Sequence, residues 1–312
     1  MRARAELWRG TARTLRRWVD TDPGEFDEAR QDRVDWLRAA PFVAMHLACF
    51  AVIWVGVSPV ALAVAAAMYA LRMFAVTGFY HRYFSHKTFK TSRAVQFVFA
   101  LIGASSVQRG PLWWAAHHRD HHRHTETALD QHSPTVHGFW RSHATWFLTP
   151  RGFRTALERV PDLAKFPELR WLDRYDTLIP VLLAVALYGL GAVLARVAPQ
   201  LGTSGGQMLV WGFFVSTVVL FHATVTINSL AHVYGSRRFD TADDSRNNFW
   251  LALITFGEGW HNNHHFFPGT VRQGFRWWEI DLTWYGLRLL AAVGLVSDLK
   301  PIPGWVTARM RG

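Results

Sequence analysis

Cysteine is nearly missing from this chain of 312 residues: only Cys49 occurs, inside an apolar run. A single thiol excludes a disulfide framework and a cysteine-ligated zinc or iron–sulfur site, and it fits a reducing compartment or one where redox state is immaterial. Charge is sparse too, at 18% of residues, against about a quarter in an ordinary soluble domain. No carboxylate pair or Ser–His–Asp arrangement suggests a hydrolase. No apolar stretch follows the first basic residues closely enough to make a secretory signal peptide. No low-complexity linker occurs either.

What is present is apolar, aromatic and basic. Half the residues are hydrophobic, 16 are Trp and 16 are His, and the net charge is +11. The length fits one large domain or two small ones. The Lys and Arg residues gather beside long apolar runs, and no nucleic-acid motif accompanies them, so nucleic acid is not an expected partner. Basic flanks of membrane spans account for the charge more simply.

The histidines are clustered. His118, His121 and His122 stand at i, i+3 and i+4 in WWAAHHRDHHRH, which puts them on one helical face. His261, His264 and His265 repeat that spacing in GEGWHNNHH. His81 and His86 in HRYFSH, and Asn228 and His232 in NSLAH, complete the set. Nine imidazoles and one amide on four segments point to one polynuclear metal site. His46 and His222 stand alone on apolar stretches and read as structural.

Neutral imidazole suits Zn, Cu, Fe and Ni. Zinc usually takes three or four protein ligands, whereas this set divides into two ions with about five ligands each, a number that suits imidazole-rich iron. An amide binds metal weakly, so Asn228 acts through a water or, alternatively, makes a hydrogen bond between helices.

Four runs are long enough to cross a bilayer: 39–57, 60–80, 177–198 and 208–230. The connections inside each pair, at Ser58–Pro59 and LGTSGGQ, carry no charge, while the other ends are basic. The runs therefore read as two hairpins with external tips. Arg72 interrupts the second run, and is costly there unless paired or near the interface. Run 94–107 is marginal in length; if it crossed, His118 would lie across the membrane from His81 and His86, so an interfacial or re-entrant helix is expected. Run 287–296 is too short to span. In residues 1–38, Arg16, Arg17 and Trp18 suit either a surface-lying amphipathic helix or a partly disordered cytosolic tail.

The expected fold is an all-α integral membrane protein, four transmembrane helices in two hairpins under a cytosolic helical cap that holds a dimetal site. Its parts are a cytosolic segment 1–38, hairpins 39–80 and 177–230, a histidine-box region 81–176 at the cytosolic face, and a cap 231–312. Both termini and the metal site would face the cytoplasm across the cell inner membrane. Such a centre beside apolar helices suits oxidation of a lipid-like substrate, because amino-acid side chains alone cannot break an unactivated C–H bond.

HRYFSH, HRDHH and HNNHH, with NSLAH before the last, resemble the boxes of integral-membrane fatty acyl desaturases of the stearoyl-CoA type, over 79–284. The resemblance implies two Fe ions on His81, His86, His118, His121, His122, His232, His261, His264 and His265, with Asn228 reaching iron through water. It implies that O2 and two electrons remove two hydrogens from a saturated acyl chain, usually between carbons 9 and 10, carried as acyl-CoA or acyl-lipid. Gln108, Trp114 and Thr224 match residues that shape the family's bent acyl tunnel, ordinary packing being the other reading. Asp120, Glu126, Asp130 and Glu258 are candidate acceptors for ligand imidazoles, or else partners of nearby Arg residues.

The chain departs from the animal enzymes where they recognise CoA: Arg109, Ala116 and His117 stand there, and Asp130, Gln131 and His132 replace an Asp-Pro-His. No haem or ferredoxin motif is fused within the sequence, so a separate electron-donor protein, ferredoxin-like or similar, and its reductase are expected partners. The basic face would attract an acidic donor. A diiron hydroxylase of alkyl or lipid chains is the alternative enzyme. A non-catalytic metal-binding or transport membrane protein is the alternative of another class.

Overall fold

The computed structural model describes residues 18–21 and 31–310. Arg16 and Arg17 of the expected surface helix lie outside the described residues; Trp18, within them, donates its indole N–H to the carbonyl of Leu37 at 2.8 Å.

Four helices are long and apolar enough to cross a membrane: Trp36–Val55, Pro59–Ser85, Leu178–Val197 and Gly205–His232. Capping chemistry sets their starts. Asp35 accepts from the backbone N–H of Leu37 and Arg38, Ser58 caps the second span ahead of Pro59, and Ser204 caps the fourth. Gly56, at φ 67°, makes the turn between the first two spans. The fourth span is the most enclosed and the first the least. Large apolar side chains such as Ile53, Trp54, Val185 and Val197 stay exposed on the outer helices, which is the surface a bilayer would cover.

The hairpin tips meet: Gln207 and Trp211 donate to the carbonyls of Val55 and Gly56, both at 2.9 Å. The opposite ends of the second and fourth spans carry His81 and His232. Tips and histidines therefore sit at opposite ends, the arrangement that the uncharged connections imply. Arg72 is fully buried within the second span. Its guanidinium donates to Thr217 Oγ1 at 2.6 Å, Ser216 Oγ at 2.5 Å and the carbonyls of Ser105 and Met68, which satisfies most of its donors.

The second span runs further than its apolar stretch. From Ala75 to Ser85 it continues as a π-helix, and the N–H of His86 bonds the carbonyl of His81 at 3.2 Å. That i→i+5 bond brings the two imidazoles edge to face, with ring centroids 4.9 Å apart. His81 is therefore part of the span helix, not just beyond it, because tertiary burial of all but one residue from Ala75 to Ser85 sustains the helix where hydropathy stops.

The expected short helix forms as Arg93–Ala104, too short to cross. It packs hard on the second span: a Cβ at Gly103 would sit 2.2 Å from the Tyr80 ring, and Tyr80 donates to the Ala100 carbonyl. Above the spans lie the histidine helix Pro111–His124, several single-turn helices, and a cap containing Phe249–Ile254, His261–Phe266 and Leu282–Ala292. The only strands among the described residues are the antiparallel pair Lys90–Thr91 and Val296–Ser297, which ties the cap to the loop after the second span. Helix dominates otherwise.

Candidate metal centre

Four local devices deliver the nine histidines. The π-turn presents His81 and His86. Helix Pro111–His124, begun by Pro111 and by Asp173 Oδ1 accepting from the N–H of Trp113 at 2.8 Å, presents His118, His121 and His122. The last turn of the fourth span presents His232, and helix His261–Phe266 supplies the remaining three.

The nine imidazoles converge into two groups. His81, His86, His118, His122 and His264 form one; His121, His232, His261 and His265 form the other. Within each group the candidate nitrogens all lie within 4.8 Å of one another. Nε2 faces Nε2 in the His86–His118, His122–His264, His81–His264 and His232–His261 pairs, at 2.7, 2.8, 3.1 and 3.1 Å.

The outer nitrogens explain why. His81 Nδ1 lies 2.5 Å from Glu258, His121 Nδ1 2.9 Å from Asp130, His232 Nδ1 3.2 Å from Glu126 and His265 Nδ1 2.8 Å from Asp243. A carboxylate only accepts, so it fixes the proton on Nδ1 and leaves the Nε2 lone pair facing inward. Gln273 approaches Nδ1 of His264 at 3.4 Å with its amide nitrogen while its Oε1 has no partner. Exchanging that amide's O and N lets Oε1 accept the Nδ1 proton of His264. His81 and His264 then bring two lone pairs together at 3.1 Å, and the buried Nε2 of His265 has no hydrogen-bond partner. Converging lone pairs need a shared cation. The donor set fits a pair of metal ions.

Electrostatics point the same way. Burial, reinforced by neighbouring imidazoles, holds His86, His118, His122, His261 and His264 well below the ordinary histidine range. His121 falls to about 3, through burial first and His132 second. These rings stay neutral, the form that binds metal. Burial favours the protonated acid at Glu258, Asp130 and Asp243, yet the facing imidazoles hold all three below their usual values, with Arg82 assisting at Glu258.

An apolar cavity of about 450 Å³ lies against the centre, within the range of small-molecule sites. His118 and Asn228 stand in its wall, as do Gln108, Trp114 and Thr224. Gln108 Nε2 donates to Thr224 Oγ1 at 3.0 Å, and Trp114 stacks on His118 with ring centroids 5.1 Å apart. Val107 and Arg109 flank Gln108 with φ of 60° and 68°. Two non-glycine residues in the left-handed region, one on each side of Gln108, mark stored strain, about 1–3 kcal/mol each, of the kind found at ligand sites.

The protein-family model for the fatty acid desaturases matches residues 57–295. The chain belongs to the fatty acid desaturase family. It is 41% identical over 229 residues to an sn-2 palmitoyl-lipid 9-desaturase of Nostoc sp. (strain 36), covering 72% of this chain and 75% of the relative. It is 38% identical over 275 residues to a chloroplastic palmitoyl-monogalactosyldiacylglycerol delta-7 desaturase of Arabidopsis thaliana, covering 86% and 69%. It is 40% identical over 240 residues to an acyl-CoA 5-desaturase of Anemone leveillei, covering 76% and 70%. This desaturase is thus a membrane oxidoreductase that acts on fatty acyl chains.

Not every site expectation survives in the desaturase. Asp120 serves no ligand imidazole: it pairs with Arg159 at 3.1 Å and Arg123 at 3.7 Å, the role left open for it. Ala116 is buried in the main apolar core and has no access to a head group. Arg109 and His117 do line the cavity. Asn228 lies one turn before His232, and its carbonyl accepts from Ser142. His46 and His222 form a string with His143, apart from the two groups. Asp243 and Gln273 escape a sequence reading, since each meets its imidazole only through the folded chain. His132 is a further omission: its ring lies tilted against His121, with centroids 4.5 Å apart, and it lines the cavity.

Proposed function

We propose that the desaturase holds two iron ions, one on His81, His86, His118, His122 and His264 and one on His121, His232, His261 and His265, with Asn228 reaching iron through a water. The observation that carries this reading is the inward convergence of Nε2 lone pairs, fixed from behind by carboxylates and set directly against an apolar cavity. Iron with O2 supplies the oxidising power to break unactivated C–H bonds, which no side chain here could provide. Overall, O2, two electrons and two protons combine with two hydrogens of a –CH2–CH2– unit to give a cis –CH=CH– and two waters.

The chain's own residues bind and orient. The apolar walls accept a saturated chain and exclude water. Gln108 and Thr224, joined by their hydrogen bond, shape a bend beside His118, and Trp114 holds that imidazole in its plane. The bend presents one C–C unit to the metal pair. Desaturation between carbons 9 and 10 is the proposed outcome, which the name of the Nostoc relative supports, although other relatives are named for positions 5 and 7. Both lipid-linked and CoA-linked acyl chains occur among the substrates in those names.

Uncharged hairpin tips opposite a basic histidine face support insertion in the cell inner membrane, with both termini and the cap in the cytoplasm. A separate ferredoxin-like protein with its reductase would deliver the electrons, drawn to a chain of net charge +11.

The test is lipid profiling of cells expressing the wild type beside His261→Ala. A monounsaturated acyl chain made only by the wild type establishes desaturation, and its double-bond position fixes the regiochemistry. A hydroxylated chain would replace this reading with a hydroxylase. No product, with iron bound and electrons supplied, would overturn it.

A further inference from the structure

The cavity reaches the outer helices: Pro41 and Met45 of the first span and Val181 and Val185 of the third line it. Val181 and Val185 keep 57% and 64% of their surface exposed although both line the cavity. They stand at i and i+4, so they form one continuous apolar edge. On a helix that crosses the bilayer, such an edge borders lipid.

Two largely buried guanidinium groups, each paired with a carboxylate, also stand in the cavity wall. Arg38, just inside the start of the first span, and Arg109 lie on the Phe153 ring at 3.8 and 3.5 Å, and all three residues line the cavity.

We propose that acyl chains reach the metal centre sideways, through the gap between the first and third spans, while still esterified to a membrane glycerolipid. The inference rests on the desaturase reading and names its substrate class. An acyl chain that slides from bilayer hydrocarbon into an apolar cavity exchanges one apolar medium for another, with no dehydration step to drive or oppose it. The gap between the spans lets it do so with the glycerol ester attached. The lipid head then stays at the bilayer interface. A soluble thioester has no need of an opening between spans.

The iron-loaded enzyme is reconstituted in phosphatidylglycerol vesicles with ferredoxin, its reductase and O2. Isotopically labelled stearoyl chains are supplied either in the phosphatidylglycerol or as stearoyl-CoA. The label should become monounsaturated within the intact lipid at least about tenfold faster than in the thioester. Val181→Trp and Val185→Trp should each slow lipid conversion about tenfold with iron content unchanged, since both positions are exposed and a larger ring there disturbs no packing. Preferential conversion of the thioester, or lipid conversion unaffected by both tryptophans, overturns the lateral route and leaves desaturation standing. Conversion of neither substrate, with iron reduced by the donor, overturns the desaturase reading and this inference with it.

Discussion

His81 Nδ1 stands 2.5 Å from Glu258 Oε2, a contact between the end of the second span and the cap. Glu258 also takes a hydrogen bond from Arg82 at 3.0 Å, so one buried carboxylate orients a ligand imidazole and neutralises the adjacent guanidinium. Glu258→Gln keeps the shape but weakens the acceptor that fixes the His81 tautomer. Iron affinity should fall by about 10–100-fold, as it does when such partners are removed elsewhere. Metal content after dialysis against graded chelator checks this, and unchanged retention would separate His81 from the metal.

Asp243 does for His265 what Glu258 does for His81, from a loop rich in polar residues. Asp243→Ala should release iron from the four-histidine group first. Titration of the apo-protein should then show one tight and one weakened site rather than two alike. Two weakened sites of equal affinity would show that the groups act as one.

Arg82 is fully buried between two acids, with Asp281 at 2.9 Å as its second partner. Asp281 also accepts from the backbone N–H of Gln273 and Trp284, starting the helix Leu282–Ala292. Asp281→Ala leaves the guanidinium short of charge in the protein interior, and stability should drop by about 3–5 kcal/mol. Unfolding in detergent solution measures it. A change under 1 kcal/mol would mean that Glu258 alone suffices.

The two histidine clusters are legible in the sequence because HxxHH is a helical spacing, and both segments are helical. Spans are legible from apolar length. The π-turn is not: nothing in HRYFSH announces an i→i+5 bond, and hydropathy ends the second span before His81. Asp120 and Asp130 look alike in sequence, each close to a ligand histidine. Only the fold gives one to Arg159 and the other to His121. Gln273 is invisible for the same reason, since the turn that brings it to His264 depends on Asp281 accepting its backbone N–H.

Gln108 and Thr224, proposed to shape a bend in the acyl cavity, are joined in its wall by one hydrogen bond, 3.0 Å long. Thr224→Val keeps the volume and removes the acceptor, leaving the Gln108 amide short of a partner at a cost of about 1–3 kcal/mol. The bend should loosen, so the double bond should spread to neighbouring positions while total conversion falls. Mass spectrometry of derivatised products reads the positions. One unshifted position would assign the pair to packing.

Asp176, buried beside Arg109 at 2.9 Å, titrates at about 6, chiefly because burial disfavours its charge and despite the guanidinium. In the unfolded chain it titrates at the ordinary aspartate value, 3.8, so between those values the folded state binds the extra proton. Stability contributed by this group is therefore full below about pH 4 and lost as pH rises to about 6, by about 3 kcal/mol. Asp176→Asn stands in for the neutral acid and removes that loss, so the variant should match the wild type below about pH 4. By about pH 6 it should be the more stable protein by about that amount. Melting curves of both proteins across that window decide the point, and a constant difference would show that the carboxyl ionises as freely as in water.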